Sequence, residues 1–163
     1  MGTQYAVGLL VAVVAVLAAL TLARRRFVVV RVVGTSMEPA YQPGDRVLVR
    51  RRSGERAGRG QVVVLQTALP GGVWRTTPLP EPEAAMWFLK RVVALSGDPV
   101  PAAVAERVGA APGTVVPAGH LVVLGDGPVS EDSRVWGYVP VDRILGVVVR
   151  KLSQAGDRAS IAP

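Results

Sequence analysis

Hydrophobic and polar positions divide the chain into two regimes. From Tyr5 to Ala23 there is no charge and no polar face. As a helix, that run spans about 28 Å, the thickness of a bilayer's hydrocarbon core. It predicts a single N-terminal transmembrane helix, ended by Arg24, Arg25 and Arg26. A cleaved secretory leader is the competing reading. It calls for a basic start and a shorter apolar core, and Met-Gly-Thr-Gln has no basic residue. The Ala-rich stretch Val16–Ala19 leaves a possible cut site, so both readings stay open, with a retained anchor favoured by length.

Beyond Arg26 the pattern changes to short apolar runs rich in β-branched residues: Phe27–Val33, Arg46–Arg50, Gln61–Gln66, Trp87–Leu95, Leu121–Leu124 and Ile144–Leu152. Runs of this length and composition read as strands. Turn signals divide them at Gln42–Asp45, Gly58–Gly60, Pro70–Gly72, Ser96–Pro99 and Gly125–Pro128. No window after the anchor shows a helical period. The expected fold is mostly β, of compact twisted antiparallel sheets or a small barrel. Residues 1–26 are expected to form the anchor with its basic flank, 27–152 a β-rich domain, and 153–163 a flexible tail. Arg51–Gly60 and Leu69–Ala85 read as surface loops.

Composition then narrows the chemistry. The net charge is +7, which raises a nucleic-acid reading. The arginines are scattered, without interleaved aromatics, and Arg24–Arg26 and Arg50–Arg52 suit anionic lipid headgroups better. The expected partners therefore include the lipid bilayer and no nucleic acid. The 163-residue chain has no cysteine and one histidine, His120. That excludes thiol nucleophiles, disulfides and His- or Cys-cluster metal sites. His120 sits in a turn, Pro117-Ala-Gly-His120, and reads as a solvated residue rather than the base of a serine triad.

The lysines are more telling. There are 17 arginines and only two lysines, Lys90 and Lys151. Lysine can lose its proton when buried, and arginine cannot. Lys90 lies in an apolar strand, Met86-Trp-Phe-Leu-Lys90-Arg-Val-Val-Ala-Leu95. Pointing inward, it would be a base usable near neutrality; pointing outward on an alternating strand, it would be an ordinary surface lysine. Lys151, beside Arg150, reads as surface. A lysine base needs a hydroxyl to activate. Ser36 is the best-placed candidate, in Val33-Gly-Thr-Ser-Met-Glu-Pro39. Gly34 permits a tight bend and Pro39 fixes the exit. The alternative is a plain strand turn with a polar serine.

Taken in order, four segments resemble one family. Gly34-Thr-Ser-Met-Glu-Pro39 is similar to the nucleophile motif of bacterial type I signal peptidases, serine proteases with a Ser–Lys dyad. Gly44-Asp-Arg-Val-Leu-Val49 resembles the strand that follows it. Leu89-Lys-Arg-Val-Val-Ala-Leu-Ser-Gly-Asp98 resembles the lysine strand. Gly125-Asp126 with Ser130-Glu-Asp-Ser-Arg134 and Gly137 resembles the last motif. The resemblance implies Ser36 as nucleophile and Lys90 as general base, with the Ser36 backbone N–H as an oxyanion donor. It implies that Ser130 orients the lysine amine and that Asp132, Ser133 and Arg134 support the site. Gly34 stands at an oxyanion position without a side-chain donor. Met37 and Pro39 are expected to contact substrate.

The resemblance also implies signal peptides of preproteins as substrates. They would bind by strand addition, with small residues, typically Ala, just before the cut and two positions upstream. No metal or cofactor is expected. The departures are Ala40 for Thr, Gly127 for Asn, Ser96, Gln61, and a segment to Ser130 that is one residue short. A self-cleaving Ser–Lys regulator, a maturation protease dedicated to one exported partner and a non-catalytic membrane module are the rival readings. The family orientation puts the catalytic domain on the extracytoplasmic face, whereas the arginines after the anchor favour the cytoplasm. The functional argument favours the outer face.

Overall fold

The computed structural model describes residues 2–82 and 87–153. Helix α1 spans Gly2–Arg26, 25 residues with Arg24, Arg25 and Arg26 in the last turn, where cations complement the helix dipole. Its stretch Val7–Arg26 has a mean hydropathy of 2.4 and is 0% buried. A helix apolar on every side with no protein against it is suited to a hydrocarbon surrounding.

Seven strands follow: β1 (Phe27–Arg31), β2 (Arg46–Arg51), β3 (Val62–Leu65), β4 (Phe88–Ala94), β5 (His120–Leu124), β6 (Val139–Pro140) and β7 (Ile144–Ser153). They form one antiparallel sheet in the order β1-β2-β7-β3-β4-β5-β6. All six expected runs appear as strands. The sheet is open, with β1 and β6 at its edges.

Alternation along the strands sends side chains to opposite faces. One face buries Val30, Val47, Val49, Val62, Val64 and Leu89, with Met37 and Trp87 packed among them. The other buries Val63, Leu65, Val92, Val123 and Val147 under Trp136. The four residues of β3 are buried on both sides, which explains their unbroken apolar run.

Several expectations are corrected. Two single-turn helices, α2 (Ala102–Ala105) and α3 (Ser133–Trp136), are present; one turn is too short to show a period. Strand β6 was not anticipated, since two residues carry no pattern. Ser153, expected to open the tail, pairs with Arg46 at the end of β7; the rest of the tail lies outside the described residues. Arg51–Gly60 is not simply a surface loop, because it contains a 3-10 turn at Gly54–Arg56 and buries Gly54 and Ala57. Within the loop at 69–85, the described part has a second such turn at Pro70–Gly72; residues 83–85 are outside the description.

Lys151 is not a plain surface residue. Its amine reaches the fully buried carboxylate of Asp45 at 2.5 Å. Its neighbour position on β2 is Val47, so the ion pair ties the last strand to the turn that opens β2. Arg52 donates to Gln61 Oε1 at 2.8 Å.

Candidate active site

Lys90 occupies the middle of β4, opposite Val63. It points inward, 1% exposed, among the largest fully buried side chains of the molecule. Its Nζ donates to Ser130 Oγ at 2.9 Å. The rings of Phe88 and Trp136 lie 6.0 and 5.9 Å from Nζ. Burial disfavours the ammonium form, and Arg134 adds to the effect. The charges of Asp132 and Glu131 oppose it, and the amine is pushed down to about 8. Roughly one lysine in ten would then be neutral at pH 7, against one in a few thousand for a free side chain.

Ser130 lies in the loop joining β5 to α3, and that loop is held from two sides. Asp132 caps α3, accepting from Arg134 N at 3.1 Å. It takes two further bonds from the Arg134 side chain, at 2.9 and 2.7 Å, and one from Gly125 N at 2.9 Å. Burial would raise this carboxyl. The Arg134 guanidinium, the Gly125 and Arg134 N–H groups and the Ser130 hydroxyl outweigh it and hold it below the ordinary range. Ser133 Oγ accepts from Val123 N at 3.0 Å. Asp132 and Ser133 thus fasten α3 to the end of β5 and set the position of Ser130.

Ser36 lies in the turn after β1, half-buried. Gly34 opens the turn at φ 83°, a conformation that favours glycine. The turn is closed by Glu38 N to Thr35 O at 3.0 Å and Tyr41 N to Met37 O at 2.9 Å. Its base is clasped by Val32 N to Asp45 O and Gly44 N to Val32 O, at 2.8 and 2.9 Å. Gly127 N donates to Ser36 O at 2.9 Å. A Cβ on Gly125 would come within 2.5 Å of Ser36 O and would also collide with Ser130. The serine turn and the Ser130 loop therefore meet backbone to backbone, which only glycine permits.

The structure brings Ser36, Lys90, Ser130, Asp132, Ser133 and Arg134 into one neighbourhood, and Gly34 is exposed at the start of the serine turn. Met37 and Pro39 do not share a surface. Met37 is 1% exposed in the core, so it anchors the serine turn from beneath rather than offering an open contact. Pro39 is exposed. His120 stands apart, its Nδ1 2.9 Å from Ala118 O and its ring against Tyr138. Sequence reasoning missed the close approach at Gly125 and Gly127 and the role of Trp136. The glycines were visible signals, read only as turn formers.

Comparisons with known proteins bear on the family. The family described as signal peptidase, peptidase S26, matches residues 5–108 and 103–152. A crystal structure of a signal peptidase I from Enterococcus faecalis V583 aligns with a TM-score of 0.35 and 18% identity, covering 58% of this chain and 97% of that one. No curated protein matches. With its family profile matched along most of its length, the chain belongs to the signal peptidase family, peptidase S26.

Proposed function

We propose that the protein is a membrane-bound serine endopeptidase that removes signal peptides from exported preproteins, with Ser36 as nucleophile and Lys90 as general base. The observation that carries this reading is a buried amine, depressed to about 8, hydrogen-bonded to Ser130 beside the Ser36 turn. Neutral Lys90 takes the Ser36 Oγ proton as the oxygen attacks the scissile carbonyl. The Ser36 backbone N–H donates to the developing oxyanion. Protonated Lys90 then gives its proton to the leaving amine, and an acyl-enzyme remains. Lys90 next activates the water that releases it. Ser130 orients the amine throughout, supported by Asp132, Ser133 and Arg134.

Residues 1–26 act as the anchor and 27–152 as the catalytic domain, on the extracytoplasmic face. The substrate adds as a strand, and β1 offers a free sheet edge for this. The test is incubation of the full chain with a panel of preproteins, followed by sequencing of the new N-termini. Cuts after Ala, with Ala two positions upstream, are expected, and a large residue at either place slows cleavage strongly. Equal rates for Ala and Phe at both positions would remove this specificity. Cleavage of one preprotein alone would favour dedicated maturation.

A further inference from the structure

A groove opens beside Lys90, on the face of the sheet that Trp136 covers. Its two walls are α3 and the tight hairpin at 69–73. The hairpin is closed by Leu69 N to Val73 O at 2.8 Å, with the turn at Pro70–Gly72 as its tip. Arg107 fastens it to α3, donating to Gly71 O at 2.9 Å and to Val135 O at 2.5 Å. A Cβ on Gly72 would come within 2.8 Å of Trp136 O, so the two backbones meet directly. Trp74 adds an edge-on contact to Trp136, with ring centres 5.9 Å apart. The space between the walls is about 310 Å³, lined in part by Leu69, Gly71, Gly72, Glu131, Val135 and Trp136. That is room for one or two side chains, not for a folded partner.

The groove is continuous with the base. Glu131 directly follows Ser130, whose Oγ accepts from Lys90 Nζ at 2.9 Å. The Trp136 ring, part of the groove wall, has its centre 5.9 Å from the same Nζ. Glu131 is exposed, and among the described residues its carboxylate has no ion-pair partner. Its charge is felt at Lys90, where it favours the protonated amine. The other cation near the groove, Arg107, stands at the hairpin wall with its N–H groups turned to the Gly71 and Val135 carbonyls. The anionic end of the groove is therefore the end next to the base.

The reaction identifies the occupant. In the proposed mechanism the acyl half of the substrate stays on Ser36, whose turn is rooted by Met37 in the opposite face of the sheet. The other half begins at the amine that takes the proton from Lys90. It therefore leaves on the side of the base, where Trp136 and Glu131 stand. An extended chain advances about 3.3 Å per residue, so one of the first three residues after the cut reaches the groove. We propose that this groove receives the first residues of the mature chain and that Glu131 selects a basic side chain there. The preference rests on the protease reading and concerns only the released side of the bond.

The full-length protein is given synthetic peptides identical up to the cut, with Lys, Gln or Glu placed in turn at each of the first three positions after it. At one of these positions kcat/KM should be about two- to fivefold higher for Lys than for Glu, the scale of an exposed ion pair. The ratio should shrink at high salt, which screens exposed charges. Glu131→Gln should abolish the ratio, and Glu131→Lys should invert it. Each ratio compares substrates on one enzyme, so any change that the variant makes at the Lys90 amine cancels. Equal rates for Lys and Glu at all three positions, or a ratio unchanged in Glu131→Gln, would overturn the selection by Glu131 and leave the protease reading standing. Cleavage of none of the peptides would overturn that reading, and the preference with it.

Discussion

Lys90 is the residue on which the proposed chemistry rests, and its depressed amine should govern both rate and stability against pH. Replacing it with Arg keeps the charge but removes any neutral form. Lys90→Arg and Ser36→Ala should each lower kcat/KM by about a thousandfold or more, with far-UV circular dichroism unchanged; wild-type turnover by Lys90→Arg would end the base assignment. In the wild type, kcat/KM should climb with pH along a limb centred near 8 and level off above it. A profile flat from acid to alkaline pH would contradict a titrating base. Stability should follow the same group. Below about 8 both folded and unfolded chains hold the proton, and the folded state bears the cost of a buried charge. Between about 8 and the ordinary value of 10.5, the unfolded chain binds more proton, so stability rises with pH. Thermal melts of Lys90→Met against wild type should show the variant's gain at neutral pH and its shrinkage toward pH 10.

At the scale of elements, the site depends on how α3 is tied to β5. Asp132 is a cap, an ion-pair partner of Arg134 and an acceptor for Gly125 N. Asp132→Asn keeps the shape and removes the charge. It should cost roughly 1–3 kcal/mol by weakening charge-assisted bonds at a buried site. It also removes the main charge that raises the Lys90 amine, so the activity limb should move to lower pH. Urea denaturation and the pH profile of one purified variant read both effects. A limb moved upward would show that Asp132 does not act on Lys90 through its charge.

For the whole molecule, orientation in the membrane is the open physical contest. Arg24, Arg25, Arg26 and Arg31 all follow the apolar helix, and no basic residue precedes it. Loop-charge bias alone would keep the domain inside. Export of folded-domain precursors can override that bias, and headgroups of the outer leaflet can take the same arginines. If the proposed outward orientation holds, external protease on cells stripped of their wall should degrade residues 27–152. Complete protection would place it in the cytoplasm and revive the regulator reading.

Local pattern was enough for the apolar helix and for six of the strands, because period and β-branched composition act within a few residues. The scarcity of lysine in an arginine-rich chain singled out Lys90, and the bend at Gly34 singled out Ser36, through chemistry that each residue carries with it. Tertiary structure decided the rest. Whether Lys90 faces solvent or core depends on which side of β4 is covered, and Trp136, 46 positions later, covers it. The partnership of Lys151 with Asp45 joins chain segments about a hundred residues apart, so no local signal reveals it. Met37 looked like an open contact beside the serine, yet packing against Val47, Val49 and Trp87 buries it. Burial and pairing are properties of neighbours in space, and a strand's own residues do not say which neighbours it will have.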